Sequence, residues 1–157
     1  MTNEKNQLTS EDVEEVQKFL QGEKLDFIEK KYREVFDKID YIQGLFQSGV
    51  LEDPNETDKV MKELTGYYIC LNPITNELEA DKKNIEDALF TTFRIKKEKA
   101  GEKITASSIE KEVSAIVAGW RRIRNKFQAY RDSCATGISV CQSSLKSVEK
   151  ERKLPHG

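Results

Sequence analysis

Histidine, catalytic motifs and long apolar runs are scarce or missing in this chain, and each shortage excludes a class of protein. The single histidine is His156, close to the C-terminal end, so histidine-based acid–base chemistry and a zinc cluster are both excluded. There is no apolar run of about 18 residues, so we expect no transmembrane helix. The opening stretch MTNEKNQLTSEDVEE has neither the basic start nor the apolar block of a signal peptide.

Nucleotide-binding and protease motifs are also missing. The sequence contains no GxGxxG, no GxxxxGK[ST] and no HExxH. Acidic residues are numerous but scattered over segments such as EDVEE and EKEV, so a pair of carboxylates is the one catalytic arrangement left open. We therefore predict a non-enzymatic protein with no cofactor and no metal.

Cysteine usage indicates a reducing compartment. Cys70, Cys134 and Cys141 are an odd number without CxxC spacing. Cys134 and Cys141 would lie ~10 Å apart on one helix, which is beyond the reach of a disulfide. We expect reduced core residues in a cytoplasmic protein.

What the chain has in abundance is helix-forming and charged residues. Charged residues make up 34% of the sequence, and there are only 3 prolines. This composition predicts an all-α fold with long helices. We expect an acidic N-terminal helical region over 1–55. Residues 56–157 should form a long antiparallel helical hairpin or coiled coil, with a basic tip and a long C-terminal helix.

Helix start and stop signals divide the first hundred residues. A short helix should begin after Thr9 and stop at Gly22. A second should span 24–48, and Asn55 or Thr57 should cap a third. Pro73 should break or kink that helix, with a new helix from near Asp81 to Gly101. The apolar positions of the second helix are spaced 4-3-4-3-4: Ile28, Tyr32, Val35, Ile39, Ile42 and Phe46.

The most regular segment is predicted to be one helix from Ser108 to Arg152, capped by Thr105, Ser107 or Ser108. Its apolar residues step by four and three: Ile109, Val113, Ile116, Trp120, Ile123, Phe127, Tyr130, Cys134, Gly137 and Cys141. Such a repeat favours supercoiling with a partner helix. Two antiparallel helices cannot cover the large aromatic residues from all sides, so either the 24–48 helix or other protomers must help. We expect a homo-oligomer whose seam comprises Ile116, Trp120, Ile123, Phe127, Tyr130 and Cys134.

The small net charge of −2 hides an asymmetry. Residues 1–81 hold 9 Lys and Arg against 19 Asp and Glu, whereas residues 82–157 hold 17 against 9. This polarity suggests that the basic half meets an anionic partner.

Two basic stretches are candidates for that contact. The first surrounds Gly101 and comprises Arg94, Lys96, Lys97, Lys99 and Lys103. The second, WRRIRNKFQAYR, supplies Arg121, Arg122, Arg124, Lys126 and Arg131, interleaved with aromatic residues. Cations mixed with aromatic rings suit single-stranded nucleic acid. The alternative is a solvated hairpin tip, with the aromatic residues in the core and the arginines in interhelical ion pairs.

Over residues 64–154 the chain resembles the recombination mediators of T4-type bacteriophages, the UvsY family. The resemblance lies in IEDALFTTFRIKKEKAGEKIT, a mid-helix Trp120, a DSC step and a SLKSVEKERKL tail. It implies a small, helical, oligomeric protein of the host-cell cytoplasm. Such proteins bind single-stranded DNA and help load a recombinase onto strands covered by single-strand-binding protein. The resemblance would transfer DNA contact to Arg94, Lys96 and Lys97, with Lys99 beside them, and oligomerisation to the C-terminal helix.

The leading hypothesis is thus a non-enzymatic accessory protein of recombination or replication that binds single-stranded DNA. One alternative is an inhibitor or adaptor whose acidic N-terminal half occupies a basic groove of a host nucleic-acid enzyme. If so, deleting residues 1–55 should abolish function and leave the hairpin folded. The other alternative is a structural coiled-coil subunit with no ligand, in which all the basic residues form intramolecular ion pairs with the acidic half.

Overall fold

The computed structural model describes residues 23–49 and 51–154. This part of the chain forms four α-helices and no strand: α1 (Glu23–Ser48), α2 (Pro54–Lys99), α3 (Ala106–Ile116) and α4 (Ala118–Lys153). The predicted all-α fold is confirmed. The short helix expected before Gly22 lies outside the described residues.

The chain forms two compact units, each assembled from separate stretches of sequence. Among the described residues, the first unit comprises 23–30 and 77–125, and the second comprises 31–76 and 126–154.

In the first unit, the end of α2 packs against α3 and the start of α4. Leu89, Ile109, Val113 and Val117 form a buried cluster. Polar contacts pair Lys97 with Glu112 and Glu86 with Arg121, so residue numbers rise on one side as they fall on the other. The two sides of the predicted hairpin therefore run antiparallel. The partly buried residues packed on this cluster are Ile85, Phe90, Phe93, Ile104 and Ile116.

In the second unit, α4 contacts both α1 and α2. The ring of Phe127 meets those of Tyr32 and Phe36 edge-on, with centroids 5.1 and 5.0 Å apart. On the other side, Arg131 donates to the side-chain oxygens of Asn72 and Asn76 at 3.5 and 3.4 Å. Phe127 and Tyr130 of the aromatic stripe are thus covered by the 24–48 helix, one of the two possibilities that the sequence left open.

The break expected at Pro73 is wrong, as is a new helix near Asp81, because α2 runs from Pro54 to Lys99 without interruption. Pro73 is exposed, so the helix carbonyl that loses its N–H partner can be hydrated by solvent. On the buried side, Leu71 and Leu78 are 0% and 1% exposed and hold the helix in place.

The cap of α2 also differs from the prediction. Asp53, rather than Asn55 or Thr57, precedes Pro54 at the first helical position. The Asp53 carboxylate accepts a hydrogen bond from the N–H of Asn55 at 2.9 Å, and its carbonyl accepts one from the N–H of Thr57 at 3.0 Å. This is the usual geometry of an N-cap.

The single helix predicted from Ser108 to Arg152 is in fact two helices, separated at Val117. Val117 has φ −87° and ψ 5°, outside the helical region, although its N–H still donates to Val113 at 3.1 Å. A straight helix drifts by ~20° per seven residues relative to a strict heptad. Accordingly, the residue that faces the core at this point is Val117, which is 0% exposed, rather than the predicted Ile116.

Four groups in the second unit, Tyr67, Tyr130, Cys134 and Cys141, have raised pKa values, which predicts lower stability at alkaline pH. Burial raises the pKa of the Cys134 thiol from 9.0 to about 11. Burial, followed by the hydrogen bond to Asp40, raises the pKa of Tyr130 from 10.0 to about 12. The unfolded chain loses these protons first. The stabilisation from each group is fully present below its unfolded pKa, which is 9.0 for Cys134 and 10.0 for Tyr130. It is lost as the pH rises to about 11 for Cys134 and to about 12 for Tyr130.

Urea titrations between about pH 8 and pH 11 should show this loss. The free energy of unfolding should fall less steeply with pH in Tyr130→Phe, which keeps the ring but cannot ionise. Tyr41→Phe, at a tyrosine that is 69% exposed, is the matched control and should follow the unsubstituted chain. A Tyr130→Phe slope equal to that of Tyr41→Phe would contradict the prediction.

Candidate nucleic-acid interface

The connection between α2 and α3 is a tight helix end at the predicted glycine. Gly101 has φ 70°, a left-handed conformation that glycine adopts without a steric penalty. Its N–H donates to the Glu98 carbonyl at 3.2 Å, and the N–H of Glu102 donates to the Lys97 carbonyl at 3.2 Å. These two bonds form a Schellman motif, so α2 ends where the sequence predicts.

Thr105 begins α3, one of the three N-caps that the sequence offered. Its side chain accepts a hydrogen bond from the N–H of Ser108 at 3.2 Å. Between Gly101 and Thr105, Ile104 packs on the buried cluster of the first unit. The hairpin tip, which we define as residues 94–105, is therefore fixed at both helix ends and through one apolar side chain.

Lys97 and Arg94 of the tip each contact a carboxylate. Lys97 is the more engaged, because its side chain is 17% exposed and its Nζ lies 2.5 Å from Glu112 Oε1. The same ammonium lies 3.4 Å from Ser108 Oγ. Arg94 Nε lies 3.9 Å from Glu98 Oε1 on the surface of one helix, a contact of little energetic value.

The other three tip cations, Lys96, Lys99 and Lys103, are exposed. Lys96 and Lys103 form no ion pair with any residue in the described ranges. Exposed ammonium groups without a carboxylate partner attract polyanions. The available positive charge of the tip is thus clearest at Lys96 and Lys103.

Part of this charge has a structural explanation. Lys96, Lys97 and Lys99 occupy the last turn of α2, where each cation stabilises the negative end of the helix dipole by about 0.3–1 kcal/mol. Lys103 lies beyond the helix end, so the dipole does not account for it.

Two arginines of the second basic stretch, Arg121 and Arg124, form ion pairs inside the first unit. Arg124 Nε lies 2.9 Å from Glu79 Oε2, and Arg121 Nη2 lies 3.1 Å from Glu86 Oε1. Lys82 Nζ is 3.4 Å from Glu79 and 3.8 Å from Glu86. The guanidinium groups of Arg121 and Arg124 are therefore held by intramolecular ion pairs.

Arg122 differs from Arg121 and Arg124. Its side chain is exposed and forms no ion pair within 23–49 or 51–154. The structure therefore separates the eight predicted contact residues into two groups. Lys97, Arg121 and Arg124 are bound to carboxylates on another helix, whereas Arg94, Lys96, Lys99, Lys103 and Arg122 are on the exposed surface.

Glu79 and Glu86 are the residues that sequence reasoning missed. They flank Lys82 at i−3 and i+4, which places all three on one face of α2. This spacing could have indicated a charged stripe facing the arginines of the opposite side of the hairpin.

The aromatic residues of the second stretch are in the protein interior. Trp120 is 1% exposed and Phe127 is 0% exposed. The indole N–H of Trp120 donates to the Leu78 carbonyl at 2.9 Å. Because these rings are enclosed by protein, they are unable to stack on nucleic-acid bases as they stand.

The remaining seam residues are buried to different extents. Ile123 and Cys134 are 4% and 0% exposed, whereas Ile116 is only partly buried. Tyr130 is half-buried, stacks on Phe36 with centroids 4.2 Å apart, and donates its hydroxyl to Asp40 at 2.9 Å. Four of the six seam residues, Trp120, Ile123, Phe127 and Cys134, are thus buried within the chain.

The described part of the chain has neither a cluster of metal ligands nor a helix suited to cross a membrane. Within it, no group of three or more His, Cys, Asp or Glu side chains is placed to hold a metal ion. No helix there has the length and apolar character needed to cross a membrane.

Comparisons with known protein families, with curated proteins and with solved structures found no match for this chain. The resemblance to the UvsY family stays a prediction that rests on the residues quoted above.

Proposed function

We propose that this chain is a non-enzymatic accessory protein of recombination or replication that holds the phosphate backbone of single-stranded DNA at its hairpin tip. The supporting observation is the pair of exposed cations, Lys96 and Lys103, on either side of the Gly101 turn. Neither has an intramolecular ion pair in the described part of the chain.

The mode of contact follows from what is buried. With Trp120 and Phe127 inside the protein, binding rests on ammonium and guanidinium groups that meet phosphates. Such binding has no base preference and weakens with salt, because each neutralised phosphate releases counterions. A homo-oligomer, and a recombinase or single-strand-binding protein as partner, belong to the same proposal.

The test neutralises the two free lysines. Lys96→Gln/Lys103→Gln should weaken binding of a fluorescent single-stranded oligonucleotide about tenfold at low salt. It should also make the plot of log binding constant against log salt concentration less steep by roughly 1.4, because each lost phosphate contact removes about 0.7 from the magnitude of the slope. Anisotropy titrations at several salt concentrations measure both quantities. Lys97 is left intact because its loss would also remove the contact with Glu112.

A matched control removes the same charge elsewhere. Lys146→Gln/Lys150→Gln changes two exposed lysines of α4 that lack ion pairs with described residues, and should alter the affinity far less. Equal losses in the two double variants, or an affinity that does not change with salt, would overturn the proposal.

One observation favours a second candidate, a structural helical subunit with no nucleic-acid ligand. Ion pairs between helices engage Lys97, Arg121 and Arg124, and the partner of Arg124, Glu79, lies in the acidic half that this hypothesis names. For such a subunit, light scattering should give a defined oligomer while the same titrations show no DNA binding.

A further inference from the structure

A groove lies in the second unit between the first turns of α2 and the last turns of α4. Its volume is about 450 Å³. The lining residues from α2 are Pro54 and Met61, and those from α4 are Gln142, Leu145, Lys146, Val148, Glu149 and Arg152.

The groove exists because α1 ends before α4 does. Aromatic contacts join Tyr32 to Phe127, and the ring of Phe46 lies 3.3 Å from an ideal Cβ at Gly137, so α1 and α4 run parallel. α1 then ends at Ser48, whereas α4 continues to Lys153. Within the described residues, the last turns of α4 therefore pack on α2 without the third helix that covers the preceding turns.

Burial along α4 changes at the same point. Cys141 is 0% exposed, yet none of residues 142–154 is buried. Leu145 and Val148, three residues apart on one face of α4, are half-buried, as is Met61 on α2. The groove floor is thus apolar and partly open to solvent.

The rim of the groove on α4 is positively charged. Among the lining residues of α4, the cations are Lys146 and Arg152 and the carboxylate is Glu149, while Lys150 and Lys153 are near in sequence but outside the lining. All four cations are exposed, and none forms an ion pair with a described residue. Lys150, Arg152 and Lys153 are in the last turn and complement the helix dipole, but Lys146 precedes it.

We propose that this groove binds an acidic amphipathic helix of a protein partner, which packs beside the last turns of α4 as α1 packs beside the preceding turns. An apolar floor between two antiparallel helices accepts the apolar face of a helix with anchors at i, i+3 or i+4, and i+7. The cationic rim then selects carboxylates on the flanks of that helix. The apolar floor favours a helix over a nucleic-acid strand. This inference is independent of the proposed DNA contact at the hairpin tip.

The experiment titrates full-length protein into a fluorescein-labelled synthetic peptide of about 15 residues. Its leucines are spaced by three and four, and its remaining positions are mainly glutamate. A second peptide has lysine in place of every glutamate. The acidic peptide should bind at micromolar concentration and the basic peptide should not. Leu145→Asp should weaken binding at least tenfold, equivalent to about 1.4 kcal/mol.

The control for the groove floor is Val140→Asp, at a residue of α4 that is 49% exposed and outside the groove lining. It should leave the affinity for the acidic peptide unchanged. Circular dichroism checks that both variants keep their helix content.

A charge-reversal variant keeps the test decisive if Leu145→Asp loses helix content. Lys146→Glu/Arg152→Glu should lose the acidic peptide and gain the basic one. The proposal is overturned if the unsubstituted protein binds neither peptide, or if the charge-reversal variant keeps its preference for the acidic peptide. It is also overturned if a single-stranded oligonucleotide displaces the acidic peptide from the groove.

Discussion

Replacing Phe127 by alanine should lower the free energy of unfolding by about 3–5 kcal/mol, the range for a fully buried phenylalanine. The ring is 0% exposed and meets Tyr32 and Phe36 edge-on. Such aromatic pairs add about 0.5–1.5 kcal/mol each beyond the buried area. Urea denaturation followed by circular dichroism would show the transition shifted to much lower urea.

Phe27→Ala is the matched control, because it makes the same substitution at a helical phenylalanine that is 65% exposed. It should change stability by no more than about 0.5 kcal/mol. Phe127→Leu should lie between the two, since it keeps most of the apolar volume but loses both edge-to-face contacts. A loss of less than about 1 kcal/mol for Phe127→Ala would contradict the packing described for the second unit.

Local sequence signals predicted the helix ends best. Gly101 stops α2 and Thr105 caps α3, because both depend on backbone conformation and hydrogen bonds within a few residues. Asp53 escaped notice as a cap although it precedes a proline and lies three residues before Glu56, a recognisable helix start.

The apolar repeat predicted the right helices but not every inward residue. Ile28, Ile39 and Ile42 of α1 are buried as expected. Between Ile28 and Ile39, however, the buried residue is Phe36 rather than the predicted Val35. The same one-residue shift replaces Ile116 by Val117. A strict 3.5-residue repeat cannot follow a helix of 3.6 residues per turn over many turns, and the sequence does not say where the difference is absorbed.

Pro73 shows why an interior proline is not by itself a helix boundary. A proline removes one hydrogen bond and crowds the preceding turn. Here it lies on the exposed face of α2, while Leu71, Thr75 and Leu78 are buried on the opposite side. Tertiary packing therefore maintains the helix across the residue, and that packing could not be read from the sequence.

Whether a cation forms an ion pair depends on contacts between residues that are far apart in the sequence. Arg121 meets Glu86 and Arg124 meets Glu79 only because the two sides of the hairpin align in one register. Lys103 stays exposed because it follows the helix end. The sequence therefore shows which segments are rich in cations. Which of those cations form ion pairs is seen only in the packed hairpin.

The packing of α1 changes how the adaptor hypothesis must be tested. Phe36 and Ile39 are 3% and 0% exposed, so deletion of residues 1–55 would remove buried core residues as well as acidic ones. Substituting exposed acids of α1, such as Glu34 and Asp37, tests the acidic surface and leaves that core intact.

Gly137→Ala should destabilise the protein by about 1–3 kcal/mol, although alanine favours a helix. A Cβ at this position would lie 2.7 Å from Leu64 Cδ1 and 3.3 Å from Phe46 Cε2. Leu64 is 1% exposed, so its neighbours restrict how far it can move. The added methyl group therefore meets side chains of both α1 and α2.

Gly66→Ala is the control, and we expect it to have the opposite sign. Gly66 lies inside α2, is exposed, and has no other group within 4 Å of an ideal Cβ. Without a clash, only the helix preference remains, and stability should rise by about 0.5–1 kcal/mol. Urea denaturation of the two variants side by side separates the effect of the steric clash from that of helix propensity. A stabilising Gly137→Ala would refute the close approach of Leu64 and Phe46 to Gly137.

The Leu64 contact can be isolated with a double-mutant cycle. Leu64→Ala alone should cost about 2–5 kcal/mol, because it opens a cavity in the core of the second unit. In the Gly137→Ala background the same change also removes the clash and gives the new methyl group room. The double variant should therefore lose less stability than the sum of the single losses, by about 1 kcal/mol or more. Additive losses would mean that the methyl group added at position 137 is accommodated without touching Leu64, and that glycine is used here for another reason.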